Sequence, residues 1–157
     1  MEPESLARLR SRLTESRVVA LALVVDDAPV AGLLPFLASD DLGALHVHVS
    51  TRALHPRGLD PGARFSAVVS EPDRAELDAL RIPRLLVEGV VEEVGETELA
   101  DLRERWAERF PSAAMTLGLG DFTFRRLRLG VGRHITGFAR AEPVGPTELA
   151  AAAASGR

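Results

Sequence analysis

The segment Ser50–Leu59 concentrates the groups that could do chemistry. It presents two hydroxyls, Ser50 and Thr51, two arginines, Arg52 and Arg57, and one imidazole, His55. Short hydroxyl donors beside guanidinium forks are what a phosphate monoester dianion needs. A strand ending at Ser50 and leading into a short helical or turn segment would add exposed N–H groups. The alternative is a solvated loop that happens to be basic. Just upstream, His46 and His48 stand two apart on an expected strand, so both side chains point to one face. With His55 they could hold a metal, although no acidic ligand lies between Ser50 and Leu59. The simpler reading, polar residues on a strand face or a dimer contact, stands ahead of the metal site. Gly118-Leu119-Gly120 and Gly130-Val131-Gly132 lack the third glycine of a dinucleotide fingerprint and read as turns.

Composition narrows the chemistry further. All 19 basic residues are arginine, and the chain has no cysteine and no tyrosine. That excludes Schiff-base lysine, thiolate nucleophiles, disulfides and zinc–thiolate sites. A net charge of −4 argues against a dedicated nucleic-acid binder. No apolar run reaches the roughly 18 residues that a membrane helix needs, and the N-terminus is acidic. A cytoplasmic protein is the expectation.

These groups must be positioned by the elements around them. Leu6, Leu9 and Leu13 repeat at helical spacing, which predicts an amphipathic helix over residues 4–16. Val18–Val25 is short, apolar and rich in β-branched residues, as a buried strand is. Residues 30–37 should return as a strand whose Gly32 and Pro35 place it at an edge or bulge. Residues 42–50, 64–70 and 84–94 read as further strands, with Gly89 a bulge. Asp73-Arg74-Ala75-Glu76 has capping-box spacing for a turn or two of helix. Leu99, Leu102, Trp106 and Phe110 mark a second amphipathic helix, and residues 121–129 and 134–141 two last strands. The alanine-rich end, residues 146–157, has helix propensity but no apolar stripe, so fraying or disorder is expected. Strands clustered ahead of the main helix point to an α+β protein built on an antiparallel barrel.

The Ser50–Leu59 segment followed by Arg64-Phe65-Ser66-Ala67-Val68-Val69 resembles the FMN-binding split-barrel family related to pyridoxamine 5′-phosphate oxidase. In that family a strand ending in Ser leads to a His-Thr-x-Asn-Leu segment. Leu33-Leu34-Pro35-Phe36 matches the Pro-Phe of the second strand. Arg103-Glu104-Arg105-Trp106, Phe110-Pro111, Gly120-Asp121-Phe122-Thr123-Phe124-Arg125-Arg126-Leu127 and Thr136-Gly137-Phe138-Ala139-Arg140-Ala141 resemble its haem-utilisation branch.

The resemblance implies a six-stranded antiparallel split barrel with flanking helices, formed by one domain over residues 1–145. It also implies a homodimer with FMN in a groove at the interface, serving a flavin-dependent oxidoreductase. By the same resemblance Ser50 and His55 would contact the phosphate, with Thr51, Arg52 and Arg57 beside them. Pro35 and Phe36 would lie near the isoalloxazine ring, and Phe138 and Arg140 would reach in from the partner subunit. The sequence departs from the family at His55-Pro56-Arg57-Gly58, where a hydroxyl and an amide are missing. The alternative implied by the haem-utilisation branch is a haem-binding module, or a degenerate barrel that keeps only the dimer. The last histidine is His134, so His46, His48 or His134 would replace the C-terminal iron ligand of that branch. Asp121 matches an acidic position supporting its haem site, or serves structurally at a strand start.

Overall fold

The computed structural model describes residues 1–52, 55–76 and 78–156, the side chains of His55 and Pro56 excepted. Helix α1 (Pro3–Glu15) leads into strands β1 (Val18–Val25), β2 (Ala28–Pro35), β3 (Leu37–Ala38) and β4 (Ala44–Ser50). A short 3-10 turn (His55–Gly58), β5 (Arg64–Ser70) and β6 (Arg84–Glu93) precede helix α2 (Glu96–Arg109). A 3-10 segment (Pro111–Gly118), β7 (Phe122–Gly137), β8 (Arg140–Val144) and helix α3 (Pro146–Ala154) complete the chain.

All pairings are antiparallel, in the order β2-β1-β5-β6-β7-β4-β3, with β8 added beside β7. The two ends of that path, β2 and β3, are separated in the chain by Phe36 alone. A flat sheet would hold them far apart, so the sheet must curl until its ends meet. The result is a split-barrel-like α+β fold. Its sheet has eight strands where six were expected.

Alternation along β1 shows the curl in side chains: Val19, Leu21, Leu23 and Val25 face inward and the residues between them face out. The inward rows, with Leu45, Val47, Val49, Leu127 and Leu129, make one core that α1 closes with Leu9 and Leu13. Asp26 and Asp27 form the two-residue β1–β2 turn at φ 51° and 62°, the left-handed geometry of a hairpin whose twist matches its strands.

Three expectations are corrected. The strands expected at 121–129 and 134–141 are mostly one, because Gly130 and Gly132 lie within β7 and not in a turn. A Cβ on Gly132 would stand 2.2 Å from the Leu86 carbonyl oxygen, so glycine there admits the close approach of β6. Gly89 pairs with Leu129 just past the expected bulge, where the register shifts after Val87. The capping-box spacing at Asp73–Glu76 forms no helix; Asp78 instead accepts a hydrogen bond from the Leu80 N–H and starts a 3-10 turn (Ala79–Arg81), and Leu77 lies outside the described residues. The tail is a helix from Pro146 to Ala154. Leu149 and Ala152 are buried, and Arg10 of α1 donates to the Ala153 carbonyl at 3.0 Å. Small residues let α3 approach α1 closely, which no apolar stripe announced.

Candidate functional site

The outward row of β4 carries Ala44, His46, His48 and Ser50, while Leu45, Val47 and Val49 turn into the barrel. Across the ladder His46 is opposite Arg126, His48 opposite Phe124 and Ser50 opposite Phe122. The shared face expected for the two histidines is therefore present. Helix α2 lies over it and buries Leu102, Trp106 and Phe110 against Phe124 in a second apolar cluster.

His48 is held by aromatic rings. Its ring centroid is 4.4 Å from Phe124, 5.2 Å from Phe122 and 5.9 Å from Trp106, which meets it edge-on. Its Nδ1 is 3.4 Å from the Thr116 hydroxyl. Burial, with the Arg103 charge second, pushes its pKa down to about 4. His46 is also held below the usual imidazole range by burial and then by Arg126. Arg126 Nε stands 3.5 Å from His46 Nε2, at the outer limit of a hydrogen bond that the guanidinium would donate. His46 Nδ1 is buried. Both imidazoles are neutral at physiological pH, the form that binds metals.

His46 opens onto a cavity of about 850 Å³ between α2, α3 and the sheet. Its wall alternates charge. Arg126 pairs with Glu98 and Arg128 with Glu92, while Arg105 reaches Asp40 at 2.9 Å and Asp101 at 3.6 Å. At the rim the Ser39 hydroxyl and the Gly43 N–H hold the Asp41 carboxyl below its ordinary pKa. Among the described residues no three metal-binding groups come together.

The Ser50–Leu59 groups are divided. Thr51 donates to the Asp121 carbonyl from its N–H at 2.7 Å and from its hydroxyl at 3.1 Å. Ser50 Oγ donates to the Asp121 carboxylate at 3.4 Å, and Arg52 Nε stands 3.5 Å from the same carboxylate. Ser50, Thr51 and Arg52 thus converge on Asp121, which ties the end of β4 to the start of β7. Arg57 turns away and pairs with Asp26 in the β1–β2 turn at 2.7 Å. The His55 side chain lies outside the described residues. Gly58 packs against β1, where a Cβ would fall 2.9 Å from that of Leu23, so no amide side chain has room at this position. Pro35 is half-buried. Phe36 is a core residue, its ring 1% exposed and its N–H donating to the Arg17 carbonyl. Phe138 and Arg140 are exposed in the β7–β8 hairpin.

Sequence reasoning missed the cavity's arginines and acids. Arg105 and Glu98 sit on the charged face of α2, which reads as solvated, yet the sheet curls beneath it. Arg12 offered a clearer signal, because it interrupts the apolar stripe of α1 between Leu9 and Leu13 and is buried.

No family model and no curated protein matches the chain. Solved structures do. A haem-binding protein from Mycobacterium smegmatis is 27% identical over 96% of this chain, with a TM-score of 0.82, and the chain covers 62% of that protein's length. HutZ, the haem storage protein of Vibrio cholerae, is 24% identical with a TM-score of 0.67, over 78% of this chain and 87% of that one. A protein from Mycobacterium smegmatis that binds FAD and haem is 20% identical with a TM-score of 0.62, over 88% of this chain and 80% of that one. The molecule therefore has a split-barrel-like fold, and the solved structures it resembles include haem-binding proteins and one that binds both FAD and haem.

Proposed function

We propose that this chain is a haem-binding protein that holds haem against the groove beneath α2. The likeness to the mycobacterial haem-binding protein, along nearly the whole chain, carries this reading. The residues of the groove suit the group. A neutral imidazole, His46, lines a cavity within the size range of ligand sites, and Arg105, Arg126 and Arg128 could each exchange a carboxylate partner for a carboxylate of the porphyrin. Bound haem would supply iron-centred chemistry, while these side chains bind and orient it. Hemin titrated into the protein should raise a Soret band that His46→Ala abolishes and that His48→Ala and His134→Ala leave largely intact. No band, or a band indifferent to every histidine substitution, would sink the reading.

The functional unit in this proposal is a homodimer. The outward rows of β1 and β2 are apolar throughout: Val18, Ala20, Ala22 and Val24 stand in register with Pro35, Leu33, Ala31 and Pro29. Val24 and Leu33 are 63% and 67% exposed. An uncharged, exposed sheet face of this kind supports that reading.

A flavin-dependent oxidoreductase is the second reading, favoured by the two hydroxyls and the exposed Arg52 gathered at the end of β4. A flavin phosphate there would have to compete with Asp121 for Arg52 and with Asp26 for Arg57. FMN that binds no more tightly than riboflavin would count against any phosphate contact.

A further inference from the structure

A second cavity, of about 370 Å³, lies under α1 at the opposite end of β7. Arg126 and His134 are eight residues apart on that strand, about 26 Å at the usual rise, so this cavity is separate from the groove described above. His134 is fully buried and lines it, and among the described residues both of its ring nitrogens lack a hydrogen-bond partner. Arg12 lines it too; the residue is 8% exposed and its Nε is also without a partner. Buried polar atoms in folded proteins are nearly always satisfied. The three unsatisfied atoms belong to two residues that line one space.

The unmet groups define the occupant. Burial, with Arg12 second, keeps the imidazole neutral, so it offers one donor and one acceptor. Arg12 Nε is a donor only. Two donors against one acceptor call for a ligand rich in acceptors. The charge pattern agrees. Glu71 holds the other end of Arg12 at 2.5 Å, but its side chain is 41% exposed, and the Arg8–Glu4 pair at the mouth is more open still. Deep in the cavity the formal charge is that of Arg12, with the hydroxyls of Ser11 and Thr136 nearby. Glu142, beside His134 in register on β8, limits the net positive field.

We infer that this cavity is a site for a small oxyanion, a carboxylate or a phosphate, bound between Arg12 Nε and His134. Water could satisfy the same atoms, and the test separates the two. Ring resonances of the four histidines are followed in the full-length protein as inorganic phosphate or acetate is added, with sodium chloride as the ionic-strength control. A saturable shift confined to His134 is expected with at least one of the two probes, weakened tenfold or more in Arg12→Gln. Because Arg12→Gln also removes a buried ion pair and could impair folding, Glu71→Gln provides the second arm. Freeing Arg12 of its competing carboxylate should tighten binding severalfold. Unsaturable drift that sodium chloride reproduces, or saturable binding that Glu71→Gln leaves unchanged or weakens, would overturn the site. A phosphate-only or acetate-only response identifies which oxyanion the cavity takes.

Discussion

His48 and His134 are both buried, and they are treated in opposite ways. His48 lies among three aromatic rings with a hydroxyl at Nδ1. Among the described residues no ring stacks on His134, and neither of its nitrogens has a hydrogen-bond partner. Desolvation depresses both pKa values. The difference lies in what replaces the lost water. At His48 the protein supplies π-faces and a weak polar contact, so the imidazole serves as packing. At His134 it supplies nothing, so the imidazole is an unfinished site.

The comparison can be broken first at its aromatic side. Trp106 is 1% exposed and packs against His48, Phe110 and Phe124. Trp106→Ala should destabilise the fold by roughly 3–5 kcal/mol, the range for aromatic deletion in a core. Urea unfolding measures it, and a loss below about 1 kcal/mol would mean that α2 does not depend on this cluster.

A pH series comes next in size. The folded pKa of His48, about 4, lies below its ordinary value of 6.5. Between those limits the unfolded chain binds a proton that the native state refuses. Stability is therefore complete above pH 6.5 and falls as the pH drops towards 4. The loss from this residue is on the order of 3 kcal/mol, and His46 and His134 act in the same direction. His48→Phe should flatten the slope. An unchanged slope in that variant would locate the titration elsewhere.

The smallest effect has the opposite sign. His134→Leu removes two unsatisfied nitrogens at similar volume and should stabilise the ligand-free protein at pH 7 by about 1–2 kcal/mol, while abolishing stabilisation by added oxyanion. A destabilised variant would show that His134 already has partners, and the contrast with His48 would vanish.

Much of the scaffold is legible in the sequence wherever one periodicity dominates. The apolar run of β1, the alternation of β4 and the leucine spacing of α1 and α2 each state their element, and Gly89 states its bulge. Legibility fails where a residue's reason lies on another strand. Gly130 and Gly132 look like turn residues until Glu88 and Leu86 carbonyls are seen pressing on them. The alanines of α3 look formless until α1 is laid alongside. The candidate site divides in the same way. A shared face for His46 and His48 follows from strand geometry alone. That Arg105 and Glu98 wall the same cavity depends on the curl of the sheet, and the Asp121 and Asp26 partners of Arg52 and Arg57 depend on loops meeting across the fold.

The placement of Pro29 and Pro35 on β2 bears on how the molecule avoids polymerising. β2 is an edge strand that carries part of an apolar exposed face of the sheet, the combination that invites open-ended strand addition. At two positions, however, the edge has no N–H to give an incoming strand. In the proposed homodimer a second copy lies flat on the face, and the missing N–H groups at these two positions disfavour extension of the ladder into a fibre.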